Sequence, residues 1–409
     1  VNQWSPVIRA ADAHDPRLFL TPQFEIAIDG AGLPKGVLRD ITEVTYRDSL
    51  TELDQFDITV NNWDPASKAE GGTRRLFRYI GSETDSDLAS QEPEKLLFRL
   101  FEPCNKMVKV SLGYLGRMVP MMIGNFTTME PTFSSSGAAT LAVRGLNALH
   151  QYRTAKFTTA WENKTPSEIA RNLAALTDKG KKRFTAPIEI LPGTESGEQA
   201  IPFVTQTSQY DIDFLLNFAR QHGYEVTLVG DTKPEQKVLF GRASDARRPV
   251  NYELDWGRTL VDFKPSLTTA GQFKSITVKG WDRKTQKPIS EKVAYDDPEL
   301  KKMNAKFGEL VMQCDPKEEQ VVDLPVFSKA DARRRAIALM RDNSARIIRA
   351  NGTTIGLPEL RAGTRVKIGG LGARLSGEYL VTKSTHTIGE SGYLTKFECR
   401  LEDYSGKPR

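Results

Sequence analysis

Apolar and polar residues alternate along most of this chain, the two-residue period of strands with one buried face. Residues 24–29 (FEIAID) read this way. Two longer strands follow within 38–60, VLRDITEVTYRDSL and FDITV, separated by the polar stretch 51–55. Strand signals return at 108–112, 118–126 and 139–143, with Gly124, Pro131 and Gly137 marking turns. They recur at 225–229 and 238–240 around the turn GDTKPEQK, then at 254–263, 365–368, 378–383 and 393–402. In the last of these, Thr395, Phe397, Cys399 and Leu401 face one way, and Lys396, Glu398, Arg400 and Glu402 the other. One wet and one packed side is expected of a barrel or sandwich wall.

Helical periodicity interrupts this pattern in three places. Thr165-Pro166-Ser167-Glu168 is a helix start: Thr as N-cap, Pro at the first helical position, Glu placed to return the cap. Ile169, Leu173 and Leu176 then share one face. A second helix begins near Ser208, turns Ile212, Leu215, Leu216 and Ala219 inward, and stops at Gly223. A third spans 328–340, capped by Ser328, with Ala332, Ala336 and Leu339 as its apolar stripe.

The chain also repeats itself. ITVNNWD (58–64) returns as ITVKGWD (276–282), each preceded by a phenylalanine, Phe56 and Phe273. MVKV (107–110) returns as RVKI (365–368), each before a glycine-marked turn. The first match is offset by 218 residues and the second by 258, so the second copy carries 40 more residues between its landmarks. This predicts a duplicated β-rich unit and an α+β, mainly β fold: two related β-barrel domains in tandem with a small α+β domain between them. The expected units are an N-terminal arm (1–17), a first barrel (18–148) with an inserted surface loop (65–100) that has little core of its own, a middle domain (149–253), and a second barrel (254–405) with an inserted helical segment (292–344).

Length and composition are consistent with this. At 409 residues, two to four domains are expected, and 39% hydrophobic with 27% charged residues is ordinary for a globular protein. No apolar run approaches the roughly 18 residues of a membrane span, and the N-terminus shows no secretory pattern. Cys104, Cys314 and Cys399 are odd in number and widely spaced, which favours a reduced environment over disulfides or a zinc site. The net charge of +5 arises from 57 basic and 52 acidic residues, largely interspersed, and does not demand a nucleic-acid partner.

Candidate chemistry is sparse, and no catalytic, cofactor or metal residue is assigned. His14, His150, His222 and His386 lie in no metal-binding or nucleophile motif, so structural roles are expected. Asp211 and Asp213 could form an acid/base pair, but at a helix start they favour the macrodipole. Gly369-Gly370-Leu371-Gly372 is superficially like a phosphate loop, yet it lacks the lysine and precedes no predicted helix. Arg333, Arg334, Arg335, Arg341, Arg346 and Arg349 could contact phosphates or an acidic surface, though a solvated helix face with Asp331 paired to Arg335 is the simpler reading. Trp63 and Trp281 could stack on bases or sugars, but their repetition favours packing at a domain or subunit seam.

Several segments resemble a known family. GLPELRAGTRVKIGGLGARLSGEYLVTKSTH (356–386), followed by GYLTKFECRLE, resembles the C-terminal signature of phage late control protein D, the baseplate-hub family of contractile tails. SQYDIDFLLNFARQHGYEV, the later VLFG, SITVKGWD and the Arg/Ala-rich helix are similar to the same family, so the likeness runs from about residue 150 onwards. The resemblance implies a homotrimer that adapts a six-fold tail tube to a three-fold central spike, because three chains with two copies of one fold present six similar units. It implies the spike protein, the tail tube protein and other baseplate proteins as partners, with synthesis in the bacterial cytoplasm and assembly into a tail or tail-like particle. No enzyme activity, cofactor, membrane span or specific nucleic-acid binding is expected. Type VI secretion spike proteins continue into a β-helical spike, whereas this sequence stops at KPR after its last strand; a separate spike protein is therefore expected. The 65–100 insertion is expected to contact a neighbouring baseplate subunit. The rival readings are a hub with cell-wall-degrading activity and, less favoured, a nucleic-acid-binding module.

Overall fold

Strand follows strand through the first third, as the alternation requires: β1 (Trp4–Pro6), β2 (Pro22–Ile28), β3 (Ala31–Gly32), β4 (Ile41–Ser49), β5 (Gln55–Asn61), β6 (Met107–Tyr114), β7 (Arg117–Thr132) and β8 (Thr140–Asn147). Two short helices, α1 (Lys35–Asp40) and α2 (Asp85–Ala89), lie among them. The computed structural model describes residues 4–6, 21–50, 52–64, 76–92, 95–103, 106–135, 137–196, 198–222, 224–229, 237–242, 251–282, 285–300, 308–314, 316–322, 326, 328–344 and 346–401. Most of the predicted N-terminal arm, with His14, lies outside the described residues, as do Cys104 and Gly223.

The middle of the chain holds β9 (Lys156–Lys164), α3 (Pro166–Ala175), β10 (Thr177–Asp178), β11 (Lys181–Lys182), β12 (Ile188–Ile190), β13 (Ile201–Tyr210), α4 (Asp211–Gln221), β14 (Tyr224–Val229) and β15 (Lys237–Arg242). The predicted capping box at α3 is present: Thr165 accepts from the Glu168 amide, and Glu168 accepts from the Thr165 amide. Ile169, Ala170 and Leu173 on α3 join Ile212, Leu215 and Phe218 on α4 in a separate core. Inside it, Asp211 and Arg183 form a bidentate ion pair, with Gln206 on Asp211 and the guanidinium 3.6 Å over the Phe157 ring.

The last third contains β16 (Asn251–Asp255), β17 (Leu260–Leu267), β18 (Phe273–Asp282), β19 (Lys287–Ala294), α5 (Gly308–Gln313), β20 (Lys317–Val321), α6 (Lys329–Ser344), β21 (Ile348–Ile355), β22 (Arg365–Gly369), α7 (Gly372–Leu375), β23 (Gly377–Gly389) and β24 (Gly392–Leu401). The predicted third helix is α6, where Ser328 Oγ accepts from the Asp331 amide. On β24, Thr395, Phe397, Cys399 and Leu401 are buried as the alternation requires.

One strand order occurs twice. In the first third it is β4-β5-β8-β7-β6, and in the last third β17-β21-β24-β23-β22, with every neighbour antiparallel. The irregularities repeat as well. β4 bulges between Ile41 and Glu43 against β5, and β17 bulges between Leu260 and Asp262 against β21. β7 bulges between Phe126 and Thr128 against β8, and β23 between Val381 and Lys383 against β24. A bulge shifts every later side chain to the other face, so matching bulges fix the correspondence residue by residue. Following the ladders, Met107 corresponds to Arg365, which is the register of the MVKV and RVKI match.

The other sequence match does not survive. The ITVN of ITVNNWD ends β5, between antiparallel β4 and β8 in this sheet. ITVKGWD is β18, at the centre of a separate three-stranded sheet with antiparallel β19 and parallel β20, packed on α6. The counterpart of β5 is β21. A short alternating string encodes a strand with one buried face and says nothing of its neighbours.

The second half of β23 pairs with β4, from Lys383 opposite Ser49 to Ile388 opposite Val44, and this ladder joins both sets in one 14-stranded sheet. β1 extends the far end by pairing parallel to β16. Among the described residues no ladder closes either set into a barrel, so the architecture is mainly β with α+β content. The 65–100 insertion also departs from expectation. Tyr79, Phe98 and Phe101 within and beside it are buried, with Tyr79 and Phe101 in the first core, and Tyr79 Oη donates to Asp40 at 2.5 Å. They fall in two short apolar runs, LFRYI (76–80) and KLLFRLF (95–101), separated by a Gly-, Ser- and acid-rich stretch that gave the segment its polar look.

Candidate assembly interface

The β23–β4 ladder carries a buried polar cluster on one face. Tyr46 and Asp48 point there from β4, and Ser384 and His386 from the opposing positions of β23. Arg361, in the loop before β22, reaches across to the β4 side: its Nε donates to Asp48 at 2.5 Å, its Nη2 donates to Tyr46 Oη, and Asp54 lies 3.6 Å away. Its guanidinium carbon also sits 4.6 Å over the Tyr46 ring. Asp48 accepts further from Ser384 Oγ and, at 3.2 Å, from the Ala362 amide. Tyr46 Oη donates to Asp54 at 3.0 Å.

His386 is fully buried and fully partnered. Its Nε2 lies 3.2 Å from the Leu360 carbonyl, which can only accept, so the proton belongs on Nε2. Its Nδ1 then accepts from the hydroxyls of Tyr393 or Thr395, each 3.1 Å away. Burial pushes its pKa down to about 4, against the nearby Asp48 charge, so the ring is neutral. Burial opposes charge on Asp48 too, but Arg361, with help from Ser384, holds its carboxyl below the usual range. Asp54 goes the other way: burial and the Asp48 charge push it up to about 6. This cluster latches the two strand sets together. Sequence reading assigned His386 a structural role and did not see the rest, because its members are scattered from Tyr46 to Thr395.

The correspondence between the sets reveals two unpartnered edges. β4 corresponds to β17, and β23 to β7. Among the described residues β17 forms a ladder only with β21, apart from an isolated bridge of Leu260 to Trp256, and the second half of β7 pairs only with β8, so each offers an open edge where β4 and β23 have one another. Exposed apolar residues lie along or beside these edges: Leu267 is 38% exposed, Phe133 53% and Val261 64%.

The other sequence candidates are dispersed. Asp211 binds Arg183 and Asp213 binds Arg153, so the two acids do not converge. His222 bonds through Nδ1 to the Phe218 carbonyl within α4, and His150 is half-buried by the first turn after β8. Arg333 pairs with Asp297 and Glu299, Arg334 and Arg335 with Asp331, and Arg346 with Asp342, as a solvated helix face would. Gly370 and Gly372 have positive φ in a turn, and contrary to expectation the one-turn helix α7 follows. Trp63 and Trp281 are both substantially exposed, but Trp63 lies past the end of β5 in an isolated bridge to Phe77 while Trp281 lies within β18, which removes the ground for pairing them. Among the described residues no group of His, Cys, Asp or Glu could hold a metal ion, and no helix is long and apolar enough to cross a membrane.

By fold the chain stands with phage tail proteins and their relatives. It is similar to the 43 kDa tail protein of prophage MuSo2 from Shewanella oneidensis, with TM-score 0.62 and 15% identity over 94% of this chain and 99% of that one. A tail protein from Neisseria meningitidis MC58 aligns with TM-score 0.61 and 12% identity, over 95% and 100%. An Escherichia coli component of the type VI secretion system, itself structurally similar to bacteriophage T4 tail proteins, aligns with TM-score 0.51 and 14% identity, over 94% and 79%. No curated protein matches. The chain belongs to the family described as the Alg8 N-terminal domain, whose model matches residues 84–390.

Proposed function

We propose that this protein is a structural baseplate hub of a contractile injection machine, whether phage tail, tailocin or a related system. Three copies form a ring that adapts a six-fold tail tube to a three-fold central spike. The observation that carries the reading is the strand order found twice with its bulges in register, joined edge to edge by the β23–β4 ladder. Two equivalent units per chain are what a three-fold ring needs to meet a six-fold tube. In this reading the units 18–148 and 254–405 are tube-like domains flanking the 149–253 domain. The spike, the tail tube and other baseplate proteins are the partners, and the site of action is the assembled particle.

Deleting the gene in a particle-producing host tests the role. Tails should fail to assemble, and complementation with the intact chain should restore them. Normal particles without this protein would reject the hub reading. A zymogram on cell-wall material separates the rival enzyme: a hub leaves no cleared band.

A further inference from the structure

We infer that the second half of β7 receives β17 of a second copy of this chain in the register of the β23–β4 ladder. The inference rests on the ring reading above and specifies its contact. The matched bulges make Lys383, Ser384, Thr385 and His386 the counterparts of Thr128, Met129, Glu130 and Pro131. On the partner strand, Tyr46, Arg47, Asp48 and Ser49 correspond to Pro265, Ser266, Leu267 and Thr268. Carrying the observed pairing across sets Met129 opposite Leu267 and Pro131 opposite Pro265.

The chemistry of the transferred junction differs from the original in one consistent way. Within the chain, the buried face of the ladder holds Asp48 and Ser384, then Tyr46 and His386, the polar latch. The corresponding positions at the free edges are Leu267 with Met129, then Pro265 with Pro131, all apolar. Leu267 is 38% exposed in the single chain, which a second copy would cover. The prolines add selectivity. Leu50 donates its amide to the Thr382 carbonyl at 3.0 Å, so by two-residue alternation the Tyr46–His386 rung is hydrogen-bonded too. Its counterpart has a proline on each side and no donor. Each edge therefore refuses an uninterrupted strand, which guards it against indiscriminate pairing. Two edges interrupted at the same rung leave no amide unsatisfied there. The permanent junction is polar and latched; the junction between copies is apolar and notched.

The test is a disulfide between copies. Glu130 and Ser266 would face each other at a non-hydrogen-bonded rung, where Cβ atoms approach most closely. Glu130→Cys with Ser266→Cys, in a chain also carrying Cys104→Ser and Cys314→Ser, should oxidise into covalent multimers ending at three chains. Glu130→Cys with Asp262→Cys, four residues out of register, should not. A native three-chain particle that fails to cross-link overturns this register while leaving the ring reading intact. Cross-linking that stops at two chains supports the strand pairing and overturns the three-chain ring. A monomer that neither cross-links nor assembles, alone or mixed with the spike protein, overturns both.

Discussion

Replacing Arg361 with methionine should loosen the latch between the two strand sets, and the size of the effect follows from what is left behind. Asp48 is 5% exposed and depends on Arg361 for its balancing charge. Removing one partner of a buried pair costs about 3–5 kcal/mol, because the other charge stays buried and uncompensated. The Arg361 side chain is 25% exposed, and Asp48 retains the Ser384 hydroxyl and Ala362 amide, so the lower end, about 3 kcal/mol, is expected. The penalty should depend on pH. Without Arg361, burial raises the Asp48 carboxyl, which can then take up a proton; the loss is full at pH 8 and shrinks as the pH falls towards 5. Urea unfolding of the single variants and of Arg361→Met with Asp48→Asn gives the coupling. The double variant should be more stable than the sum of the singles implies by over about 1 kcal/mol. Additive losses, or a pH-independent Arg361→Met penalty, would refute the latch.

Other consequences can be measured in the same way. His386 is neutral in the fold with its pKa near 4, below the ordinary 6.5, so the unfolded chain gains a proton first as pH falls. Stability should drop between pH 6.5 and 4 by up to about 3 kcal/mol, at about 1.4 kcal/mol per pH unit, and His386→Gln should flatten that slope. A Cβ on Gly352 would lie 2.4 Å from the Phe397 ring opposite, and one on Gly145 would lie 2.3 Å from Phe56. Gly352→Ala should cost about 1–3 kcal/mol by overpacking, with partial rescue by Phe397→Leu. Thr165→Ala removes the cap of α3 and should cost about 1 kcal/mol in thermal unfolding, a loss Thr165→Ser should avoid.

The parts of the fold legible in sequence were those in which one stretch carries its own instructions. The α3 capping box is complete within four residues, and the β24 alternation reports its buried face directly. The duplication was legible at MVKV and RVKI, because β6 and β22 hold the same place in both sets. It was hidden at β5 and β21, since their packing is solved differently. In the first set Phe56 on β5 lies over Gly145 on β8; in the last, Phe397 on β24 lies over Gly352 on β21. The Phe–Gly pair sits one like-facing rung further along with its strands exchanged, since Phe56 corresponds to Ala350 and Phe397 to Val143, and the sequence echo went with it. ITVKGWD supplied a false echo, because β18 shares the alternation of β5 and none of its neighbours. The latch was out of reach for another reason: Asp48 and Arg361 are 313 residues apart, and only the β23–β4 ladder brings them together.

In the proposed hub, two equivalent strand sets per chain build a six-unit ring from three copies. Native mass and electron-microscopic class averages of the purified protein, alone and mixed with the proposed spike protein, test this most directly. Three chains with three-fold symmetry, six similar lobes and an open axis are expected in at least one of the samples. A stable monomer or dimer in both would contradict this and leave the repeated strand order without a role in assembly.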